Sequence, residues 1–366
     1  MKLECVREKI SEAVNKAEKI ASKNATLPIL KCILLQAEKN SLVIRSTNLD
    51  IGIEIVIPAK VEVEGVVAVP GSILNSFLSH LNGEKGITIE LKEGNLHIST
   101  PKTSTVIKAF PTEDYPSIPR IDGGSVFNIP ADAFISGLKS VWYSSATSSI
   151  KPELSSVRVY PEDDFLVFVA TDGFRLAEKR IKVKNVPSFS QVLIPVKNTT
   201  EIIRVFEGVD ADLSISIDQN QLAITSDNTY VVSRTVEGNF PDYKAIIPKE
   251  SSTEVTVLKQ DIINILKLST IFSDSFHHIK FMVHPQGKEV EIITKNNDVG
   301  ENSSRIQAAV TGDSIDVNFN YRYISDSFQS VGSDSLCFYF NGATKPLVIR
   351  GVSDKTFMYL VMPMNR

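Results

Sequence analysis

The stretch Leu166-Val-Phe-Val-Ala-Thr171-Asp172 reads as a buried strand that ends on a threonine and a turn-forming acid. It recurs upstream as Leu42-Val-Ile-Arg-Ser-Thr47-Asn48 and downstream as Val290-Glu-Ile-Ile-Thr294-Lys-Asn296, with the threonines 124 and 123 residues apart. A second landmark keeps the same period. The hairpins Ile87-Thr-Ile-Glu-Leu91 with Leu96-His-Ile98, Leu213-Ser-Ile-Ser-Ile217 with Leu222-Ala-Ile224, and Leu336-Cys-Phe-Tyr-Phe340 with Leu347-Val-Ile349 have returning leucines 126 and 125 residues apart. Pro28 and Pro152 lie 124 apart, Pro70 and Pro195 lie 125 apart, and Asn320 takes the third slot. Four landmarks in one order argue for three homologous repeats over a single irregular α+β domain.

The 366 residues then divide near their thirds, at the Pro-rich segments Phe110 to Pro119 and Phe240 to Pro248. The expected domains are 1–121, 122–249 and 250–366. In the first, Val6, Ile10, Ala13, Val14, Ala17, Ile20 and Ala21 recur at helical spacing, and from Ile33 the pattern turns strand-like. The stretch Ser72 to Leu81 predicts a second helix with Ile73, Leu74, Phe77, Leu78 and Leu81 on one face. The later repeats predict helices over Asp132 to Ser144, Thr199 to Phe206, Leu258 to Ser269 and Arg322 to Phe328. Each repeat is thus a doubled helix-plus-strands motif, an α+β layer arrangement.

With 42% hydrophobic and 22% charged residues the chain can bury a core. Its 39 Lys+Arg against 43 Asp+Glu, a net −4, argue against attachment to nucleic acid or an anionic membrane by bulk positive charge, though not against a local basic stripe. Cys5, Cys32 and Cys337 form no pairing pattern, which suits a reducing, cytoplasmic setting. Residues 1–16 lack the apolar core of an export signal. Apolar runs such as Phe165 to Ala170 are strand-sized, below the roughly 18 residues of a membrane span, so no membrane partner is expected.

Neither a P-loop nor a dinucleotide fingerprint occurs, nor a G-x-S-x-G elbow. His80, His97, His277, His278 and His284 lack zinc spacing, and the adjacent His277 and His278 would point to opposite faces of a strand. Asp163 and Asp164 read as a solvated turn more than as catalytic carboxylates. A scaffold without catalytic residues, metal or cofactor is expected, with an unrecognised hydrolase using surface carboxylates as a remote alternative. Cations collect on the helices: Lys9, Lys16, Lys19 and Lys23 share a stripe with Glu12, and Lys139, Lys197, Arg204, Lys267 and Arg322 sit on or beside the later helices. The plain reading of such a stripe is a solvated helix face. The strands carry Glu54, Glu62, Glu64, Glu90 and Asp212, so a net-acidic chain can still present cations to phosphate, without reading sequence and with salt sensitivity.

Four motifs resemble the bacterial DNA sliding clamps, the β subunits of DNA polymerase III: Ala170-Thr171-Asp172-Gly173-Phe174-Arg175-Leu176-Ala177, Asn239-Phe240-Pro241-Asp242-Tyr243, Tyr359-Leu360-Val361-Met362-Pro363-Met364, and Thr26-Leu27-Pro28-Ile29-Leu30. The resemblance implies three domains of the DNA clamp fold forming half of a ring, helices inside and sheets outside. Two chains would join head to tail as a homodimer around duplex DNA, giving a non-catalytic polymerase processivity factor. Its implied partners are double-stranded DNA, the DNA polymerase III α subunit, the clamp loader, and other polymerases and repair factors carrying clamp-binding peptides. A scaffold binding peptides alone is the competing reading.

By the same resemblance, Lys197 falls on a DNA-contacting position and Lys23 beside another, while Asn24 stands where a relative carries arginine and Ser79 with His80 near a further basic position. The peptide pocket would use Leu154, Thr171, Gly173, Phe174, Arg175, Leu176, Pro241, Ile246, Pro346, Leu360, Val361, Met362, Pro363 and Met364. Gly173 suits close backbone approach, Met362 and Met364 adaptable apolar contact, and Pro363 an end to ladder pairing; a plain core edge strand is the alternative. Phe174 replaces a frequent histidine and Pro346 a frequent serine, and Asn365 precedes Arg366, which implies a shifted peptide preference. Ile107, Ile271 and Phe272 are the expected dimer contacts, against ordinary burial in their own domains.

Overall fold

A computed structural model describes residues 1–21, 27–121, 123–184 and 186–364. Lys23, Asn24, Thr26, Asn365 and Arg366 lie outside the described residues. Among those described there are six α-helices: α1 (Arg7–Ile20), α2 (Gly71–His80), α3 (Ala131–Val141), α4 (Val196–Phe206), α5 (Lys259–Ser269) and α6 (Tyr321–Ser327). Each starts where a strand stops and is followed by three strands, so a strand-helix-three-strand module is written six times, with the short strand Ala309–Gly312 as an addition. The doubling expected of each repeat is present.

Local chemistry explains the helices. In α1 the buried set Ile10, Ala13, Val14, Ala17 and Ile20 makes one stripe, with Glu8 in the first turn and Lys19 in the last complementing the helix dipole. α4 begins three residues before the expected Thr199, directly after Pro195, because polar Asn198 is a buried anchor: its Nδ2 donates to Ser233 Oγ at 2.9 Å and to the Asp50 carbonyl at 3.2 Å. Asn320 caps α6 by accepting from Arg322 N at 2.9 Å.

The chain divides into two compact units, residues 1–132 with 197–235, and residues 133–196 with 236–366. This differs from a cut at the repeat boundaries for a physical reason, since antiparallel ladders run straight across them. In the first unit, Thr229–Arg234 of the second repeat pairs with Ile51–Val63 of the first, from Thr229 opposite Ile55 to Ser233 opposite Ile51. In the second unit, Phe357–Val361 of the third repeat pairs with Arg175–Lys182 of the second, from Arg175 opposite Val361 to Lys179 opposite Phe357. These are equivalent strands one repeat apart.

Within the first unit, α1 packs on α2 and across the strands Ser41–Thr47 and Ile51–Val63. Its sheet ends on the strand Ser104–Lys108, whose one ladder partner among the described residues is Asn95–Ser99. Within the second unit, α5 lies across a four-stranded sheet that ends on Gly300–Gln307, whose one ladder partner among the described residues is Glu289–Asn296. No helix among the described residues is long and apolar enough to cross a membrane.

The histidine pair differs from expectation. His277 precedes the strand, in a turn with φ 64°, and its ring meets Tyr321 at 5.4 Å, while His278 Nδ1 lies 2.7 Å from Asp274 Oδ2. Asp163 does occupy a turn, with φ 51°, between the strands Ser156–Glu162 and Phe165–Thr171. All three cysteines are free; burial pushes the Cys5 thiol up to about 12 and Cys32 to about 11.

Candidate functional site

The quoted Thr171 to Leu176 stretch folds into a tight turn that supplies its own polar partners. Thr171 Oγ1 donates to the Arg175 carbonyl at 2.6 Å and accepts from Gly173 N at 3.1 Å. Asp172 Oδ1 accepts from Phe174 N at 2.9 Å and Arg175 N at 3.0 Å. Gly173 sits at φ 90°, where a side chain is strained, and so leaves the turn surface bare. Phe174 consequently stands out with 64% exposure, and its carbonyl accepts from Met362 N at 2.8 Å. Met364 N donates to the Asn318 carbonyl at 2.8 Å, fixing the segment that carries Met362 and Pro363 beside the turn.

Arg175 is the node beneath. Its guanidinium reaches Asp172 at 3.0 Å, Asp326 at 2.6 Å and the Tyr143 carbonyl at 2.6 Å, and lies 4.5 Å from the centroid of the Tyr323 ring. Burial opposes its charge, but Tyr359, Asp326 and Asp172 outweigh burial and hold its pKa above the ordinary arginine value. Tyr143, buried and bonded to Ser330 Oγ at 3.0 Å, is pushed up by that burial and stays protonated.

An apolar floor joins this turn to the segment after Val236. Leu176, Leu360, Val167, Val169 and Met358 cluster with Phe240 and Tyr243, and half-buried Met362 and Ile247 pack against them. Above the floor, the 3₁₀ turn Tyr243–Ile246 presents Ile246 with 50% exposure. Exposed Phe174 and Ile246, and half-buried Met362, Pro363 and Met364, lie on the segments that contribute to this apolar cluster. Exposed apolar side chains beside a buried apolar cluster have the chemistry that suits an extended peptide.

Of the expected pocket residues, Thr171, Leu176, Pro346, Leu360 and Val361 are buried, and Leu176 and Leu360 belong to the apolar cluster. Leu154 is half-buried in the preceding loop, its carbonyl accepting from Ala146 N at 2.8 Å, and Pro241 is exposed. A separate cleft of about 600 Å³, lined by Ile247, Pro248, Tyr339, Val348 and Arg350 among others, adjoins the segment on its far side. The residues unforeseen as support are Tyr143, Tyr323, Asp326, Glu178 and Tyr160. Tyr243 stood in a quoted motif without a role.

Elsewhere, Lys197 is exposed at the start of α4, and Lys9, Lys19, Lys139, Lys267 and Arg322 are exposed on the other helices. Ile107 is corrected: at 4% exposure it belongs to the core of its own unit, because strand alternation turns it inward and turns Val106, 55% exposed, outward. Ile271 is exposed and Phe272 half-buried, in the 3₁₀ turn after α5. Among the described residues no three His, Cys, Asp or Glu side chains gather to hold a metal ion.

Six copies of one module in three repeats, joined by edge-to-edge ladders, define a clamp-fold protein. Sequence models of the DNA polymerase III beta subunit match all three parts: the N-terminal domain at residues 1–119, the central domain at 128–242 and the C-terminal domain at 244–365. The chain belongs to that family, the bacterial beta sliding clamps, which are non-catalytic subunits serving DNA polymerase III in DNA replication. Similar proteins include the beta sliding clamp of Synechococcus elongatus, 24% identical over 100% of this chain and 99% of that one. The beta sliding clamp of Bacillus subtilis is 25% identical over the whole of both. Among solved structures, the beta subunit of Thermotoga maritima superposes with a TM-score of 0.95 at 22% identity, covering 100% of this chain and 99% of that one. The Bacillus subtilis sliding clamp does so at 0.94 and 24%, with the same coverage.

Proposed function

We propose that two copies of this chain close head to tail into a ring around duplex DNA and tether the replicative polymerase there. One observation carries the reading. The ladder between repeats one and two is repeated between repeats two and three by equivalent strands. Continuing the period, the next pair is Gly300–Gln307 of the third repeat with Ser104–Lys108 of the first, and each of these lies on a sheet edge. An unprotected edge is a template for another chain. A head-to-tail contact that uses it twice gives a closed pair. Val106, Ile271 and Phe272 supply apolar contact there, and Ile107 stiffens the edge strand from its buried side.

In this reading the domains are 1–121, 122–249 and 250–366, the protein acts in the cytoplasm, and helix-borne cations, Lys197 first among them, meet phosphates without reading bases. Enclosure, not affinity, keeps the ring on DNA, so a net charge of −4 is compatible with sliding. The groove over Leu176 and Leu360 takes peptide segments of the DNA polymerase III α subunit, the clamp loader and other polymerases and repair factors. Retention on DNA tests this: protein loaded on a nicked circle should stay, and should leave when the circle is cut. Equal loss from both forms would sink it.

A further inference from the structure

We infer that Glu178 is the positioning residue of the groove, holding its second wall in place through the Tyr243 hydroxyl. The inference rests on the groove reading above. Glu178 lies on the strand Arg175–Lys182, three residues beyond the Arg175 node, and is 8% exposed. Its Oε2 accepts from the Tyr243 hydroxyl at 2.5 Å, and the Tyr160 hydroxyl lies 2.7 Å from that of Tyr243. Tyr243, 2% exposed, is the first residue of the 3₁₀ turn that ends at Ile246, so fixing its ring fixes the wall. The nearest cation, Arg180, stands 3.9 Å from the other carboxylate oxygen and is bound at 2.7 Å to Glu162, which also pairs with Lys244. Burial and the Glu178 charge push the Tyr243 pKa far above its ordinary value, so the hydroxyl remains a donor.

The first junction shows what the wall does without this relay. Tyr230 and Met358 are equivalent in the two ladders, opposite Glu54 and Glu178. Tyr230 clamps residues 119–121 by donating to the Pro119 carbonyl at 3.0 Å and accepting from Ile121 N at 3.3 Å. Tyr115, the counterpart of Tyr243, reaches the carbonyls of Cys32 and Arg45, both at 3.1 Å. Glu54 is spent on Arg45 and Arg120. There Ile118 closes down on Gly52, where an added Cβ would meet its side chain at 3.2 Å. At the second junction Met358 offers no clamp, and the tyrosine is tied to Glu178 and Tyr160, with Ile246 left standing clear.

The test uses full-length protein and a labelled peptide copying the C-terminal tail of the organism's own DNA polymerase III α subunit. Glu178→Gln keeps an acceptor for Tyr243 and should bind within about twofold of wild type. Glu178→Leu, and Tyr243→Phe with its ring retained, should bind about tenfold more weakly. In both, amide hydrogen exchange should rise across residues 240–247 and stay unchanged in the strand Arg175–Lys182. If wild type binds and Glu178→Leu or Tyr243→Phe binds equally well, the positioning role is overturned while the groove stands. Weakening by Glu178→Gln as large as by Glu178→Leu overturns it too. If wild type fails to bind, the groove reading falls, and this inference with it.

Discussion

Two turns of one design, Thr47 to Ile51 and Thr171 to Arg175, begin the strands that cross the two repeat junctions. In both, the threonine hydroxyl donates to the carbonyl four residues on, at 3.0 and 2.6 Å, and the next side chain accepts two backbone N–H groups at 2.9 to 3.0 Å. Both put the third residue at positive φ, 78° for Leu49 and 90° for Gly173. They part company at the fifth residue. Ile51 is simply buried, whereas Arg175 gathers Asp172, Asp326 and the Tyr143 carbonyl. A repeated backbone therefore carries two different surfaces: one sealed by Ile118 and Ile121, the other an apolar groove with Phe174 and Ile246 exposed.

The largest expected effect separates the surfaces by function. Deleting residues 362–366 removes Met362, Pro363 and Met364 from the groove alone, and should weaken the polymerase-tail peptide at least a thousandfold, about 4 kcal/mol, with the dimer intact. Retained affinity in a titration would put peptide binding elsewhere. Next, Arg175→Met keeps bulk but strips the charge between two carboxylates, and should cost about 3 kcal/mol in urea unfolding. A cost below about 1 kcal/mol would mean that the Arg175 charge adds little to the hydrogen bonds and packing that already hold its turn.

A smaller effect sits on the return turns. The first junction uses the two residues Asp227 and Asn228, the second the longer Val352 to Thr356, where Asp354 binds Lys179 at 3.3 Å and accepts from Thr356 N at 2.9 Å. Burial would raise the Asp354 pKa, but its bonds to Thr356 and Gly332 and the Lys179 charge lower it below the ordinary value. A depressed folded pKa stabilises the protein above the unfolded value near about 4 and is lost as pH falls through the folded one. Asp354→Asn should then cost about 1 kcal/mol at pH 7 and nothing at the acid end. A pH-independent difference in the unfolding midpoint would contradict this. Smallest of all, Leu49→Gly should add about 0.5 kcal/mol by relieving positive φ, while Gly173→Leu should lose about as much and narrow the groove.

Much of the fold was legible because each repeat carries its own signals, 3.6-residue helix stripes and, in the first two, a threonine turn, whereas Thr294 of the third lies inside the strand Glu289–Asn296. The junction ladders were not, since Tyr230 and Glu54 lie far apart in the chain and their pairing is decided by tertiary packing. The groove residues were recognisable by motif, but their exposure was not. Phe357–Val361 is buried at every position, because both its faces are covered, so alternation carries no information there. On Ser104–Lys108 alternation does hold, and a shift of one residue separates buried Ile107 from exposed Val106. The Glu178 relay left no local trace: a glutamate in a strand and a tyrosine in a Pro-rich segment look solvated until the fold brings them together.

Whether the third equivalent ladder forms between chains decides the account. Electron micrographs of the purified protein should show closed rings of two chains with a hole wide enough for duplex DNA, and Val106→Arg should open them into single chains. Single-chain particles at every concentration, or open filaments, would contradict it.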